Sequence, residues 1–354
     1  GCAAAAALAR RLGRLPGPGG QGPMRLLVCG GAGFIGSAFV RERVREHGDD
    51  VTVLDKLTYA GRRENLREVE SDIRFLQGAI EDRAAVAEAV AGVGAVVNFA
   101  AETHVDRSIS GPEEFIVTNM QGTHVLLEAA RERGLRYLQV STDEVYGSIE
   151  TGSFTEESPL APSSPYSATK TGADLLVSSY FHTYGLETVI CRGSNNYGPH
   201  QYPEKLIPLM ILNALAGDQL PVYGDGKNVR NWLFVEDFAR GIGHALAHGV
   251  PGEVYNCGGP DECDNLTVVR KIIESTGRDE GLIEFVTDRP GHDRRYSLSS
   301  EKLARLGWRA QVRFEEGLAR TVDWYRENGW WWEPIRSGAY RDYYERHYGR
   351  ALKA

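Results

Sequence analysis

Apolar residues fall along this chain in short runs, each closed by a glycine or a polar residue and followed by a longer stretch of mixed polarity. Met24 to Cys29 is the first run, bounded by Gly30, and Ser37 to Arg45 behind it reads as helix. Val51 to Leu54 is the second, ending on Asp55. The alternation repeats through a strand over Ile73 to Leu76, a helix over Arg83 to Val90, a strand over Ala95 to Phe99, a helix over Glu113 to Arg133 and a strand over Tyr137 to Ser141. Such a series predicts an α/β fold, a doubly wound parallel sheet with helices on both faces.

A loop rich in Ser, Pro and Thr, Gly152 to Pro165, leads into a long helix carrying Tyr166 and Lys170, and Leu186 to Arg192 returns to the sheet. From Asn195 onward, turns such as Tyr197-Gly-Pro-His, Gly224-Asp-Gly and Gly258-Gly-Pro separate short elements, which predicts a smaller α/β substrate domain. Within it a helix over Glu236 to His248 and a strand over Glu253 to Cys257 are expected to go back to the first sheet. The chain thus divides into a flexible extension over residues 1–23, with Met24 the functional beginning, a main domain over 24–194, a second over 195–330 and a tail over 331–354. The aromatic, basic tail from Trp330 to Tyr348 is expected to pack against the core or a partner subunit.

Composition narrows the class. With 354 residues, 42% of them hydrophobic and 25% charged, the chain can bury a large core. Its net charge of -8 argues against a general affinity for nucleic acid or anionic membrane. No apolar stretch approaches a membrane-spanning length. The alanine run from Ala3 precedes Arg10-Arg11 instead of following them, the reverse of a signal peptide, so a cytoplasmic location is expected. Cys2, Cys29, Cys191, Cys257 and Cys263 form no CxxC pair and read as reduced, buried thiols. Without HExxH or a carboxylate cluster at ligand spacing, no metal is expected.

The glycine turn Gly30-Gly-Ala-Gly33-Phe34-Ile35-Gly36 sits between a strand and a helix, where bare backbone N–H groups and the helix N-terminus can approach a pyrophosphate. Asp55 ends the second strand about 20 residues on, the distance at which a carboxylate grips a ribose diol. Its charge would repel a 2′-phosphate, so NAD is favoured over NADP. The bland reading, a tight turn and a solvated aspartate, does not account for that spacing. The sheet is therefore of the Rossmann type.

Tyr166 and Lys170 lie four residues apart on one helix face, where an ammonium beneath the phenol favours its ionised form and makes a base for a sugar hydroxyl. Thr142 ends the fifth strand and can hydrogen-bond the same hydroxyl. Asp143 and Glu144 follow it directly. Two acids at a strand end are usually just solvated, but adjacent carboxyl groups beside a catalytic threonine can hold different protonation states and divide acid and base work. His104, in the loop Ala100 to Ser108 after the fourth strand, is assigned with its loop to positioning nicotinamide and substrate. Further on, Asn196, Glu204, Lys205, Leu206, Arg230, Asn265, His292 and Tyr296 lie in segments supplying amides and cations, which in an acidic chain suit a diphosphate-bearing substrate, and Tyr223 is expected to join them at the substrate.

On these residues the chain from Met24 to about Pro334 resembles the extended short-chain dehydrogenase/reductase superfamily, and within it the nucleotide-diphosphoglucose 4,6-dehydratases of the dTDP-glucose type. The resemblance is carried by Gly30 to Gly36, Asp55-Lys-Leu-Thr-Tyr-Ala-Gly61, Ala101 to Ser108, Ser141-Thr-Asp-Glu-Val-Tyr-Gly147, Tyr166-Ser-Ala-Thr-Lys170, Asn195-Asn-Tyr-Gly-Pro199, Pro203 to Pro208 and Val222-Tyr-Gly-Asp-Gly226. It implies NAD held by Gly30, Gly33, Phe34, Ile35, Gly36, Asp55, Lys56, Thr58, Ile80, Ala100 and Asn195 with Tyr166 and Lys170, dTDP-glucose as substrate, and a homodimer through the helices Glu113 to Arg133 and Tyr166 to Tyr184. It also implies a cycle. Tyr166, supported by Lys170 and Thr142, takes the 4-hydroxyl proton as NAD takes hydride from carbon 4. Glu144 removes the hydrogen on carbon 5, Asp143 protonates the departing 6-hydroxyl, and the hydride returns to carbon 6 and a proton to carbon 5. Two positions depart from the family pattern: Gly78-Ala79-Ile80 stands where Gly-Asp-Ile is usual, its Asp reaching the adenine, and Glu102-Thr103-His104 where Glu-Ser-His is usual. The competing readings are an epimerase or decarboxylase on the same fold and a non-catalytic NAD-binding sensor.

Overall fold

The computed structural model describes residues 22–288 and 293–337. The expectations for His292, for most of the extension 1–23 and for the tail beyond 337 lie outside the described residues.

Seven short strands form the main sheet: β1 (Arg25–Cys29), β2 (Asp50–Asp55), β3 (Ile73–Gln77), β4 (Ala95–Asn98), β5 (Arg136–Thr142), β6 (Thr188–Gly193) and, after three intervening strands, β10 (Val254–Cys257). Their order is β10-β6-β5-β4-β1-β2-β3 and every pairing is parallel. Strands of such a sheet are covered on both faces and so read as near-continuous apolar runs. Alternation within β1 shows the two faces. Leu26 and Val28 join Phe39, Phe238 and Ile242 on one side, while Leu27 and Cys29 join Leu126, Leu127 and Val177 on the other.

The helices Phe34–His47 and Val235–His248 pack side by side on the first of these faces. On the second lies the helix Pro165–Tyr184, whose start is fixed by Ser164 and Ser167 capping one another and by Pro165 in the first turn. The expected single helix over Glu113 to Arg133 is interrupted. After Glu113–Phe115 the chain runs as a π-helix over Ile116–Gly122 and resumes as α-helix over Thr123–Arg133. The wider turn aims Asn119 inward, where it bonds both backbone groups of Glu102 (2.9 and 3.1 Å) and the Thr169 hydroxyl (3.0 Å).

The second half contributes β7 (Asn195–Tyr197), β8 (Leu220–Tyr223), β9 (Val229–Phe234), β11 (Asp261–Asp264) and β12 (Ile283–Val286), paired as β11-β9-β7 and β12-β8. The helices Leu206–Ala216, Asn265–Thr276, Phe314–Glu327 and Gly329–Arg336 close over a separate core built on Tyr197, Met210, Phe234, Val269 and Trp331. No helix among the described residues is long and apolar enough to cross a membrane.

Candidate active site

The carboxyl ends of β1, β2, β4, β5 and β6 open into one cavity of about 310 Å³. Its floor is the glycine turn. Gly30 has φ +73°, and a Cβ there would meet the Ala100 nitrogen at 2.5 Å. At Gly36 a Cβ would meet the Gly30 carbonyl at 2.2 Å, so the helix can start this close to the turn only without side chains. Gly33 is the N-cap of the helix Phe34–His47 and offers no side-chain acceptor to its first N–H groups. Asp55, buried at the end of β2, accepts from the N–H of Ala32 (2.9 Å) and of Leu57 (2.8 Å), and Leu57 takes a left-handed φ of 55° to make that turn. Burial raises the Asp55 carboxyl, with these two backbone bonds pulling it down.

All the residues expected to hold a dinucleotide line this cavity: Gly30, Gly33, Phe34, Ile35, Gly36, Asp55, Lys56, Thr58, Ile80, Ala100, Tyr166, Lys170 and Asn195. Six buried polar atoms in its wall have no hydrogen-bond partner among the described residues: Glu81 Oε2, Ser141 Oγ, Asp143 Oδ2, Asn195 Oδ1, Asn196 Oδ1 and Gln201 Oε1. Buried polar atoms left open in this way await a polar ligand. Together with the glycine cradle they fit a dinucleotide and an adjoining polar substrate. At the departure from the family pattern, Ala79 supplies no carboxylate, whereas Glu81 lines the cavity and accepts from Lys56 Nζ at 2.9 Å.

Thr142, Asp143, Glu144, Tyr166 and Lys170 meet at the other end. Thr142 Oγ1 lies 3.2 Å from Asp143 Oδ1 and accepts the Glu144 backbone N–H at 3.2 Å, which ties the Thr142 and Asp143 side chains to the turn that carries Glu144. Burial, and then Glu144, pushes the Asp143 carboxyl up to about 8. Asp143 is therefore largely protonated at neutral pH. Burial lowers Lys170 to about 8, with Asp174 one turn along the helix acting against it. Lys170 Nζ donates to the Val140 carbonyl at 2.7 Å. The expected lowering of the phenol by this lysine does not dominate in the protein alone. Burial raises Tyr166 first, then the charge of Glu144, and the Thr142 hydroxyl works the other way.

The expected substrate residues separate into groups. Thr142, Asn196, Glu204 and Lys205 line the cavity; His104, Leu206, Tyr223, Arg230, Asn265 and Tyr296 stand outside its wall. Arg230 and Tyr296 nonetheless approach the acid pair, because the Arg230 charge bears on Asp143 and Glu144 bears on Tyr296. The guanidinium of Arg230 lies 4.5 Å over the Tyr296 ring, and the Tyr296 hydroxyl donates to Asp293 at 2.5 Å. Asn265 opens its helix with a buried Oδ1 that has no partner among the described residues. Leu206 packs on the second core, and Tyr223 ends β8.

Glu204 has a structural task that its sequence context did not reveal. Its carboxylate accepts from the Tyr59 hydroxyl (2.8 Å) and from Arg107 (3.2 Å), with His104 at 3.8 Å, and its side chain is 1% exposed. Arg107 also lies 4.1 Å over the Tyr59 ring. Three separate segments are thereby tied across one side of the cavity. A second unpredicted group stands behind Lys170: Asp174 pairs with buried Arg192 (2.9 Å), which donates to Tyr146 (2.7 Å), which donates to Asn256 (2.9 Å). Its place four residues after Lys170 was a readable signal. Among the described residues no group of three or more His, Cys, Asp or Glu side chains gathers as a metal site, and Cys29, Cys191, Cys257 and half-buried Cys263 are free thiols.

A family model described as GDP-mannose 4,6 dehydratase matches residues 27–321. The chain is 51% identical over 323 residues to a dTDP-glucose 4,6-dehydratase of Streptomyces niveus, covering 89% of this chain and 96% of that one. It is 53% identical to the low-salt glycan biosynthesis protein Agl12 of Haloferax volcanii, covering 85% and 98%. A dTDP-glucose 4,6-dehydratase of Streptomyces venezuelae, solved with NAD bound, matches with a TM-score of 0.87 at 53% identity over 88% of this chain and 100% of that one.

Proposed function

The chain belongs to the GDP-mannose 4,6 dehydratase family, and on that premise we propose that it is an NAD-dependent dTDP-glucose 4,6-dehydratase, a hydro-lyase that converts dTDP-glucose to dTDP-4-keto-6-deoxyglucose and water. The observation that carries the reading is the adjacent pair Asp143 and Glu144, one buried and protonated, the other beside it, at the end of the cavity that holds Tyr166 and Lys170.

NAD, when bound, is the reservoir that takes hydride from carbon 4 and returns it to carbon 6. Gly30, Gly33 and Gly36 would hold its pyrophosphate and Asp55 its ribose, with Lys56, Thr58 and Ile80 in the cavity wall. Tyr166 removes the 4-hydroxyl proton, and Thr142 orients that hydroxyl. The resulting ketone acidifies the hydrogen on carbon 5, which Glu144 removes. Asp143 delivers its proton to the departing 6-hydroxyl, and the burial that keeps it protonated is what suits it to that task. Arg230 and Tyr296 bind on the sugar-diphosphate side, with Asn196 and Lys205.

The division into a cofactor half, 24–194, and a sugar-nucleotide half, 195–330, follows the same assignment. A homodimer is supported by exposed Ile116, Val117, Leu175 and Tyr184 on the two helices that carry them, and a cytoplasmic setting by the free thiols. Incubation with dTDP-glucose tests the function. A product lighter by one water supports it; an isomer of unchanged mass, made at a comparable rate, assigns the chain to the epimerases instead.

A further inference from the structure

The glycine turn is held from behind as well as from within the cavity. Ala32, between Gly31 and Gly33, donates its N–H to Asp55 and accepts at its carbonyl from Asn65 Nδ2 (2.8 Å) and the Arg62 N–H (2.9 Å). Asn65 in turn accepts at Oδ1 from the indole N–H of Trp331 (2.7 Å), which lies 266 residues further along the chain. Ala32, Asn65 and Trp331 are all at most 1% exposed. The indole is fixed by ring contacts to Trp324 (5.2 Å) and His200 (5.6 Å). Burial, and then the Arg41 charge, pushes the His200 imidazole down to about 2, and the Arg62 guanidinium lies 5.7 Å over the Trp331 ring. A second tie runs alongside. The Tyr325 hydroxyl donates to the Gln201 carbonyl, and the Gln201 amide, in the cavity wall, donates to the Asn196 carbonyl at 2.8 Å. Asn65 joins an indole donor to a carbonyl acceptor, a double role that the separate Oδ1 and Nδ2 of its amide fill at once.

We infer that Trp331 and Asn65 are positioning residues for the cofactor, a relay through which the C-terminal helix Gly329–Arg336 sets the Gly31–Gly33 turn and Asp55 in the geometry that retains NAD. The inference rests on the NAD reading of the cavity given above. A broken link leaves a buried polar atom unsatisfied and frees the turn to move, so the dinucleotide leaves faster while the reacting end of the site is untouched.

The test uses the full chain as wild type, Trp331→Phe, Asn65→Ser, the double variant and, as control, Trp330→Phe, whose ring is 45% exposed beside the relay. Bound NAD is quantified after denaturation, and its release is followed by exchange into excess labelled NAD. Trp331→Phe keeps the ring and loses only the N–H. It and Asn65→Ser are each expected to release NAD about tenfold faster. The double variant should be no faster than the faster single, Trp330→Phe should match wild type, and saturating NAD should restore kcat. A wild-type chain unable to take up NAD overturns the cofactor reading and the relay with it. NAD uptake by wild type with equal release from Trp331→Phe and Trp330→Phe overturns the relay alone, and that comparison decides even where Asn65→Ser fails to fold.

Discussion

Replacing Asp143 by asparagine removes the titrating group while nearly preserving its shape, and it should separate stability from turnover. The carboxyl is raised from 3.8 to about 8 by burial and by Glu144. A folded-state value above the unfolded one means that stability is fully present below about pH 4 and is lost progressively as pH rises to about 8. At 1.36 kcal/mol per unit, the cost of keeping Asp143 protonated in the folded chain grows by up to ~4 kcal/mol between pH 5 and pH 8. Asp143→Asn escapes that cost. Denaturant unfolding of the two proteins should therefore show the variant gaining on wild type as pH rises across this window. Turnover should move the opposite way. Wild-type kcat for dTDP-glucose should fall above pH 8 as the acid is lost and Lys170, also lowered to about 8, loses its charge, and Asp143→Asn should lose on the order of 10²–10⁴ in kcat with only the Lys170 limb left. Parallel stability curves for the two proteins, or a kcat in the variant equal to wild type, would refute the assignment of Asp143 as a buried, protonated acid.

Three further outcomes are expected. Glu144→Gln should bind dTDP-glucose and reduce its NAD, visible as absorbance at 340 nm, yet lose dehydration and exchange of the carbon-5 hydrogen with deuterated solvent; full activity would remove this residue from the elimination. Glu204→Gln weakens the tie among Tyr59, Arg107 and the loop before Leu206, and should lower unfolding stability by about 1–3 kcal/mol while raising the rate of NAD loss; chemical denaturation and NAD content check both. Asp174→Asn withdraws the charge that holds the Lys170 value up, so the alkaline limb of the hydride step, read from the NADH signal, should shift to lower pH; a limb that stays in place shows that Asp174 does not act on Lys170.

The glycine turn, Asp55 and the gathering of Thr142 to Lys170 in one cavity were legible because each depends on residues close in sequence: a turn, a strand end, one helix face. Ties between distant segments were not. Nothing near Glu204 announces that its carboxylate is taken by Tyr59 and Arg107, and the tail's aromatic residues predicted packing without naming Asn65 as the partner of Trp331. Asp174 falls between these cases, since its spacing from Lys170 was readable while its buried partner Arg192, on β6, was not. The π-helical stretch escaped because its cause is Asn119 meeting Glu102 and Thr169, a tertiary demand invisible in helical periodicity.

The late return of β10 to the main sheet bears on how the chain is made. β6 pairs with β5 on one side, and on the other with Val254–Cys257, which follow β7, β8, β9 and the helix Val235–His248. On the ribosome β6 therefore keeps an open edge until that later stretch has emerged, and an unpaired edge is a template for joining another chain. Interrupting synthesis between Gly193 and Val254 should yield a fragment that aggregates, whereas interruption just beyond the helix Gly329–Arg336 should not.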